Sequence, residues 1–308
     1  PGAPVLSVAS ARERLRIAGS AGTREAAQSC AAWLAMRVRA TAGGYGGRRR
    51  RLARRMREVS TTPRASKYLR WSTLLSHVAA AAAAGVPLAV GLNFRYLAVT
   101  RALKALFSPD RLGPPEFGRF TYERWRDGQL PRLNKYPLTM TQPMLWEQSI
   151  HHFDLMRFVY GAEPVRISAR TFNPSWSMYE GDANVGALIT FTGGIEVNYQ
   201  GTWAGNWQEM GFEWRTECRR GIAVEGEMFG ALGYALRDDQ ELTPVSLPEE
   251  EPWVDDARGL LRDFVSHFRD GTPLPCPGID HLNSLRMVEA CIRSSAGEGA
   301  VSLCEEGG

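Results

Sequence analysis

Two alternating runs, Val185–Thr192 and Ile195–Trp203, meet at Gly193-Gly194. Alternation has the period of a strand, and paired glycines reach the positive φ of a tight hairpin turn. The pattern recurs on both sides. Val165–Phe172 alternates Val165, Ile167, Ala169 and Thr171; Trp214–Arg219 and Ile222–Glu225 flank a turn at Arg220-Gly221; Ala231–Arg237 is a further strand. Consecutive hairpins predict a mostly antiparallel sheet with one face on helices and one face free. Trp203, Trp207 and Trp214 cluster around these strands. A free face rich in aromatics would suit a subunit interface, although any single Trp more often packs in the core.

The stretch before the sheet reads as one helix, Met144 to Gly161, MLWEQSIHHFDLMRFVYG. Neither Gly nor Pro interrupts it, and Gly161 stands at the C-terminal cap. Glu147, His151 and Asp154 fall at i, i+4 and i+7 and share a face. Ile150, Phe153, Met156 and Val159 supply an apolar surface to hold the helix on a core. Such a Glu/His/Asp stripe is more often a solvated face. Here it lies among large apolar residues, where an imidazole with a carboxylate one turn away suits proton transfer near pH 7.

At 308 residues the chain is long enough for two domains. No apolar run reaches the length of a membrane span. Five scattered cysteines form no metal spacing. Their odd number points to reduced thiols and a cytoplasmic setting, with Cys218 and Cys291 as small apolar residues. Charge divides the chain. Residues 1–75 hold 16 basic and 3 acidic residues, and the remainder holds 21 and 30. The basic part shows no sustained period and contains the run Arg48–Arg57. No aromatic residues interleave that run, so a solvated Arg-rich segment is favoured over a nucleic-acid site. After Trp71 the character changes. Ser72–Ala84 reads as a helix closed by Gly85, and Val86–Leu92 as a buried strand, the order of an α/β layer. Val99–Phe107 then reads as a helix, Glu116–Arg126 as a strand and Asp127–Pro143 as a loop. Asp256–Asp270 and Ile279–Ser295 read as amphipathic helices, and Val301–Leu303 as a closing strand.

Several of these stretches resemble the Gfo/Idh/MocA family of NAD(P)-dependent oxidoreductases. VGLNFRY at Val90–Tyr96 is similar to the end of its nucleotide-binding domain. EQSIHHFDLMRFVYG at Glu147–Gly161 looks like its Asp-x-x-x-His-x-x-Asp helix, with Glu147 in place of the first Asp. GIDHLNSLRMVEACIRSSAGEGAVSL at Gly278–Leu303 resembles its last helix and tail. The resemblance implies an α/β plus α+β fold, in which an incomplete Rossmann-like part precedes an open-sheet domain. Residues 1–71 form a divergent Arg-rich region, 72–94 the last helix and strand of the Rossmann-like part, and 95–308 the substrate and oligomerisation domain.

By resemblance, His151 is the general acid/base, Glu147 orients it, and Asp154 matches the following Asp. Arg95 and Lys135 are candidate substrate contacts, the cofactor is NAD or NADP, and the substrate is a sugar or polyol hydroxyl. A homo-oligomer built through the sheet is expected. A metal at Glu147 and His151 is short of ligands. The family's glycine fingerprint survives only as fragments at Arg16–Gly22 and Ala42–Gly47. Its Glu-Lys-Pro motif is not found, and Lys67 lacks the right neighbours. Two explanations stand: a first part that diverged and lost its cofactor site, leaving an inactive sheet-mediated binding protein, or a coding sequence whose first part is read out of frame.

Overall fold

The structure, a computed structural model, describes residues 71–303. The stretches Arg16–Gly22, Ala42–Gly47 and Arg48–Arg57, with Lys67, lie outside those residues. Helix α1 (Trp71–Ala83) is Ala-rich and ends before Gly85 at φ 62°. The expected strand Val86–Leu92 does not form a ladder. It makes one isolated bridge, Ala89 to Pro277, supported by Val90 N–H to Cys276 O at 2.9 Å and Gly278 N–H to Leu88 O at 2.8 Å. A strand is held by hydrogen bonds along its length. The described residues offer it a partner of only this short stretch.

A buried single turn, Asn93–Tyr96, leads into α2 (Ala98–Leu106), which packs Val99, Leu103 and Leu106 inward. Nine strands follow: β1 (Pro115–Glu123), β2 (Pro164–Phe172), β3 (Asn184–Phe191), β4 (Glu196–Thr202), β5 (Gly211–Cys218), β6 (Gly221–Glu227), β7 (Gly230–Leu236), β8 (Thr243–Pro244) and β9 (Val301–Ser302). They form one sheet in the order β8-β7-β6-β5-β1-β4-β3-β2-β9. All the pairings are antiparallel except β1 with β4, where Phe120 stands beside Tyr199. The Gly193-Gly194 hairpin is present, with both glycines at φ 80°.

Three more helices follow: α3 (Ile150–Tyr160), α4 (Asp255–Asp270) and α5 (Gly278–Arg293); α3 and α5 line the inner face with α2, and α4 packs on the Asn93–Tyr96 turn. Phe153, Met156 and Val159 of α3 are buried in the same core as Phe120, Tyr199 and Trp214 of the sheet. Cys218 and Cys291 are buried free thiols, as is Cys276.

The expectation of a Trp-rich free face is corrected. Trp203 and Trp214 are buried in the core, and of the three only Trp207 is exposed, at 69%. Alternation explains this: Trp203 shares parity with the inward residues Val197 and Tyr199. The open face carries polar side chains instead, including Arg119 paired to Glu213 and Arg215 paired to Glu217, with Phe117, Phe172 and Leu188 exposed among them.

Candidate active site

The central helix forms as read, but its first turn is wider than an α-helix. Leu145–Ser149 makes a π-turn that passes into α3, and Gly161 closes the helix at φ 62° with its N–H on Arg157 O at 3.0 Å. π-turns change which side chains stand above one another. Gln148 rather than Glu147 meets an imidazole one turn on, and that imidazole is His152. The Gln148 amide donates to His152 Nε2 at 3.0 Å. This leaves the His152 Nδ1–H to donate to Tyr199 Oη at 2.9 Å, and the Tyr199 hydroxyl donates to Ser149 Oγ at 2.8 Å. Burial holds the His152 pKa well below its ordinary value, helped by His151 beside it.

Glu147 turns to Tyr136, whose hydroxyl donates to Glu147 Oε2 at 2.6 Å. Burial raises the Glu147 pKa, opposed by that hydrogen bond and by the positive charge of Arg126. His151 packs its ring 5.0 Å from the Phe94 ring, and its Nδ1 is buried without a hydrogen-bond partner. Its pKa is lowered by burial and drawn back up in part by Asp154, so the imidazole is neutral at pH 7.

Asp154 lies beneath, fully engaged. Its Oδ2 accepts from Arg95 Nε at 2.7 Å, and its Oδ1 accepts from Arg95 Nη2 at 2.5 Å and from Ser284 Oγ at 3.3 Å. Arg95 also donates to Pro275 O at 2.9 Å and to Asp280 at 2.7 Å. Asp280 accepts in turn from Arg157 at 2.8 Å, and Arg157 holds Glu163 through two bonds of 2.7 Å. Burial disfavours the Arg95 charge, and the Asp154 and Asp280 carboxylates more than offset this, so its pKa is raised. This network ties the Asn93–Tyr96 turn, α3 and α5 together. Arg95 therefore braces the helix rather than standing free for a substrate. Lys135 is also engaged, donating to Gly128 O at 3.1 Å and Leu130 O at 2.5 Å within its own loop.

Other residues of this region were not picked out by sequence reading. Among the described residues, five buried side-chain atoms lack a hydrogen-bond partner: Asn93 Oδ1, Arg126 Nη1, His151 Nδ1, Trp203 Nε1 and His281 Nδ1. Buried polar atoms are rarely left so, and each marks a place where a ligand group can be met. Asn93 holds Asp256 through its amide at 2.5 Å and precedes Phe94, the ring under His151. His281 follows Asp280 on α5. Burial lowers its pKa to about 4, with the charges of Asp154 and His151 acting on it in opposite directions. The sequence signal was present for Asp280 and His281, inside the stretch that resembles the last helix. Nothing local marks Asn93 or Arg126. No group of three or more His, Cys, Asp or Glu among the described residues is arranged to hold a metal ion. No described helix is long and apolar enough to cross a membrane.

Comparison with known proteins follows the same lines. Residues 100–224 match the family model of the GFO/IDH/MocA C-terminal domain. The uncharacterized protein y4oX of Sinorhizobium fredii is 27% identical over 227 residues, 68% of this chain and 60% of that protein. The uncharacterized oxidoreductase YrbE of Bacillus subtilis is 25% identical over 240 residues, 71% of this chain and 64% of that protein. The chain thus spans less than two thirds of the length of these relatives. Among solved structures, an oxidoreductase from Agrobacterium radiobacter in complex with NAD+, L-tartaric acid and magnesium superposes with TM-score 0.67 at 19% identity, over 76% of this chain and 70% of that one. An inositol dehydrogenase homolog from Azotobacter vinelandii, complexed with NADH and myo-inositol, gives 0.64 at 14%, over 76% and 69%. Residues 100–224 are thus similar to a GFO/IDH/MocA C-terminal domain, and the mixed open sheet with its inner helices is the fold of these solved structures.

Proposed function

We propose that the chain serves a nicotinamide-dependent oxidoreductase acting on a CH–OH group of a sugar or polyol, with His151 as general acid/base. One observation carries this: a half-buried, neutral imidazole whose buried Nδ1 has no partner, set against an aromatic ring and braced from below by Asp154. Support comes from one relative named as an oxidoreductase and from similar structures holding NAD+ or NADH with myo-inositol or tartaric acid.

The described residues fit the reactive end of such a cofactor. Asn93 Oδ1, His151 Nδ1 and His281 Nδ1 are unpartnered beside the Asn93–Tyr96 turn. Asn93 and Phe94 would help hold the nicotinamide, which when bound supplies the hydride acceptor or donor. Any residues that cradle the pyrophosphate lie outside the described ones.

The chain's own part is proton handling and positioning. His151 takes the hydroxyl proton as the carbonyl forms, and returns it in reduction. The paired Asp154 charge favours the imidazolium that results. Glu147, half-buried at the helix start, offers a carboxylate to neighbouring hydroxyls. In this reading a homo-oligomer would form through the open sheet face, where Phe117, Phe172 and Leu188 are exposed.

The test is a fluorescence titration of the full chain with NADH and NADPH, with turnover on polyols, repeated on His151→Asn. Saturable binding by both proteins and turnover by the wild type alone is the expected result. A folded chain that binds neither nucleotide would overturn the reading.

A further inference from the structure

Arg126 and Trp203 hold two of the five unpartnered buried atoms, and they hold them together. Arg126 follows β1. Its N–H donates to Trp203 O at 2.9 Å, and its carbonyl accepts from the Tyr179 hydroxyl at 2.7 Å. The backbone of Arg126 is therefore clamped from two sides. Its guanidinium lies 4.1 Å from the Trp203 ring centroid, which fixes the plane of the fork against the indole face. Arg126 Nη1 and Trp203 Nε1 are each buried with no acceptor, although the residues are only 8% and 2% exposed.

Neither side chain can accept a hydrogen bond. Two fixed donors, one of them charged, ask for an oxygen-bearing acceptor, and an oxyanion answers a guanidinium best. Glu147 is close enough for its carboxyl to feel the Arg126 charge, but its own hydrogen bond goes to Tyr136. Burial raises the Glu147 pKa, against the pull of that hydrogen bond and of the Arg126 charge. A single negative charge is tolerated beside Glu147 more readily than a double one, so a carboxylate is favoured over a phosphate.

We propose that Arg126 and Trp203 form a subsite for a substrate carboxylate, making the substrate a polyhydroxy acid rather than a neutral polyol. This deepens the function proposed above and rests on it for the word substrate. Glu147 lies one turn before His151, roughly 5–6 Å along the helix axis. A carboxylate held near Glu147 would sit a few bonds from a carbon whose hydroxyl meets His151.

The experiment reads binding without cofactor, by calorimetry on the full chain, using gluconate, its neutral counterpart sorbitol, and inorganic phosphate. Gluconate is expected to bind at least tenfold more tightly than sorbitol or phosphate. Trp203→Phe keeps the ring and removes the N–H; Arg126→Lys keeps the charge and removes the fork. Each should weaken gluconate at least fivefold and leave sorbitol unchanged. Equal binding of gluconate and sorbitol, tighter phosphate, no binding of gluconate, or folded variants that bind gluconate like the wild type would each overturn the subsite. Should the variants not fold, the three wild-type affinities decide. The nucleotide titration is independent, so failure of the subsite and failure of the oxidoreductase reading are told apart.

Discussion

Arg95 and Asp154 form a two-pronged buried ion pair, Nε to Oδ2 at 2.7 Å and Nη2 to Oδ1 at 2.5 Å, between side chains 59 positions apart. The pair joins the Asn93–Tyr96 turn to the helix that bears His151. Asp280 closes the arrangement from α5 by accepting from both Arg95 and Arg157. His151 thus stands on a base locked by charge.

Breaking that pair on one side strands a buried charge. Arg95→Met and Asp154→Asn should each lower unfolding stability by about 3 kcal/mol, the low end for a buried pair because Asp280 and Arg157 remain as second partners. The double variant should cost less than the two singles combined, since no unpaired ion is left between them. Urea unfolding of the four proteins checks this, and strict additivity would refute the coupling.

Backbone packing sets a second expectation at Gly221. A Cβ placed there would collide with Ala235 O and stand 2.9 Å from Leu236 Cα. Both neighbours are main chain of β7, paired to β6 through Gly221 and Leu236, so neither can rotate away. Gly221→Ala should cost about 1–3 kcal/mol, the range of overpacking, and move the β6–β7 edge. Thermal unfolding that matches the wild type would show that the sheet edge yields freely.

Much of this architecture was legible in local pattern. The hairpins were visible because period two and Gly193-Gly194 act over a few residues. The central helix was visible because Gly161 ends it. The face taken by Trp203 was also legible in principle, since Val197, Tyr199, Gly201 and Trp203 share one parity. The strand order was not. β1 lies between β4 and β5, a choice made by contacts between Phe120, Tyr199 and Trp214 across long stretches of chain. The site was half legible. Pattern put Glu147 and His151 on the central helix, but the π-turn that sends Glu147 to Tyr136 has no sequence mark. The engagement of Arg95 by Asp154, and of Lys135 by its own loop, depends on folded geometry alone.

Two buried groups shape stability against pH from opposite sides. Burial raises Glu225 to about 8 from an ordinary 4.5, opposed by the Phe229 backbone N–H. The folded state therefore holds a proton that the unfolded state releases, so stability is full below about 4.5 and is lost as pH rises through about 8. His281 is lowered to about 4 from 6.5 by burial, so its contribution is full above 6.5 and is lost as pH falls toward 4. Glu225→Gln should flatten the alkaline side, and His281→Asn the acid side, of a plot of unfolding midpoint against pH. Unchanged slopes would mean that these groups are solvated in the folded state.

The rate should report His151 directly. Burial lowers its pKa from 6.5 and Asp154 draws it back in part. Oxidation of a hydroxyl needs the neutral imidazole, so kcat/KM should be level through neutrality and fall with an acid limb below pH 6.5. Asp154→Asn removes the charge that favours the imidazolium, and burial then acts with less opposition. The acid limb should move to lower pH in that variant, with the maximal rate reduced because the helix base is loosened. His151→Asn should lose the limb together with most of the rate, in the range of 10²–10⁴-fold for a general base. An acid limb above pH 6.5, or one that moves upward in Asp154→Asn, would assign the proton transfer to another group, with Glu147 the nearest alternative on the same helix.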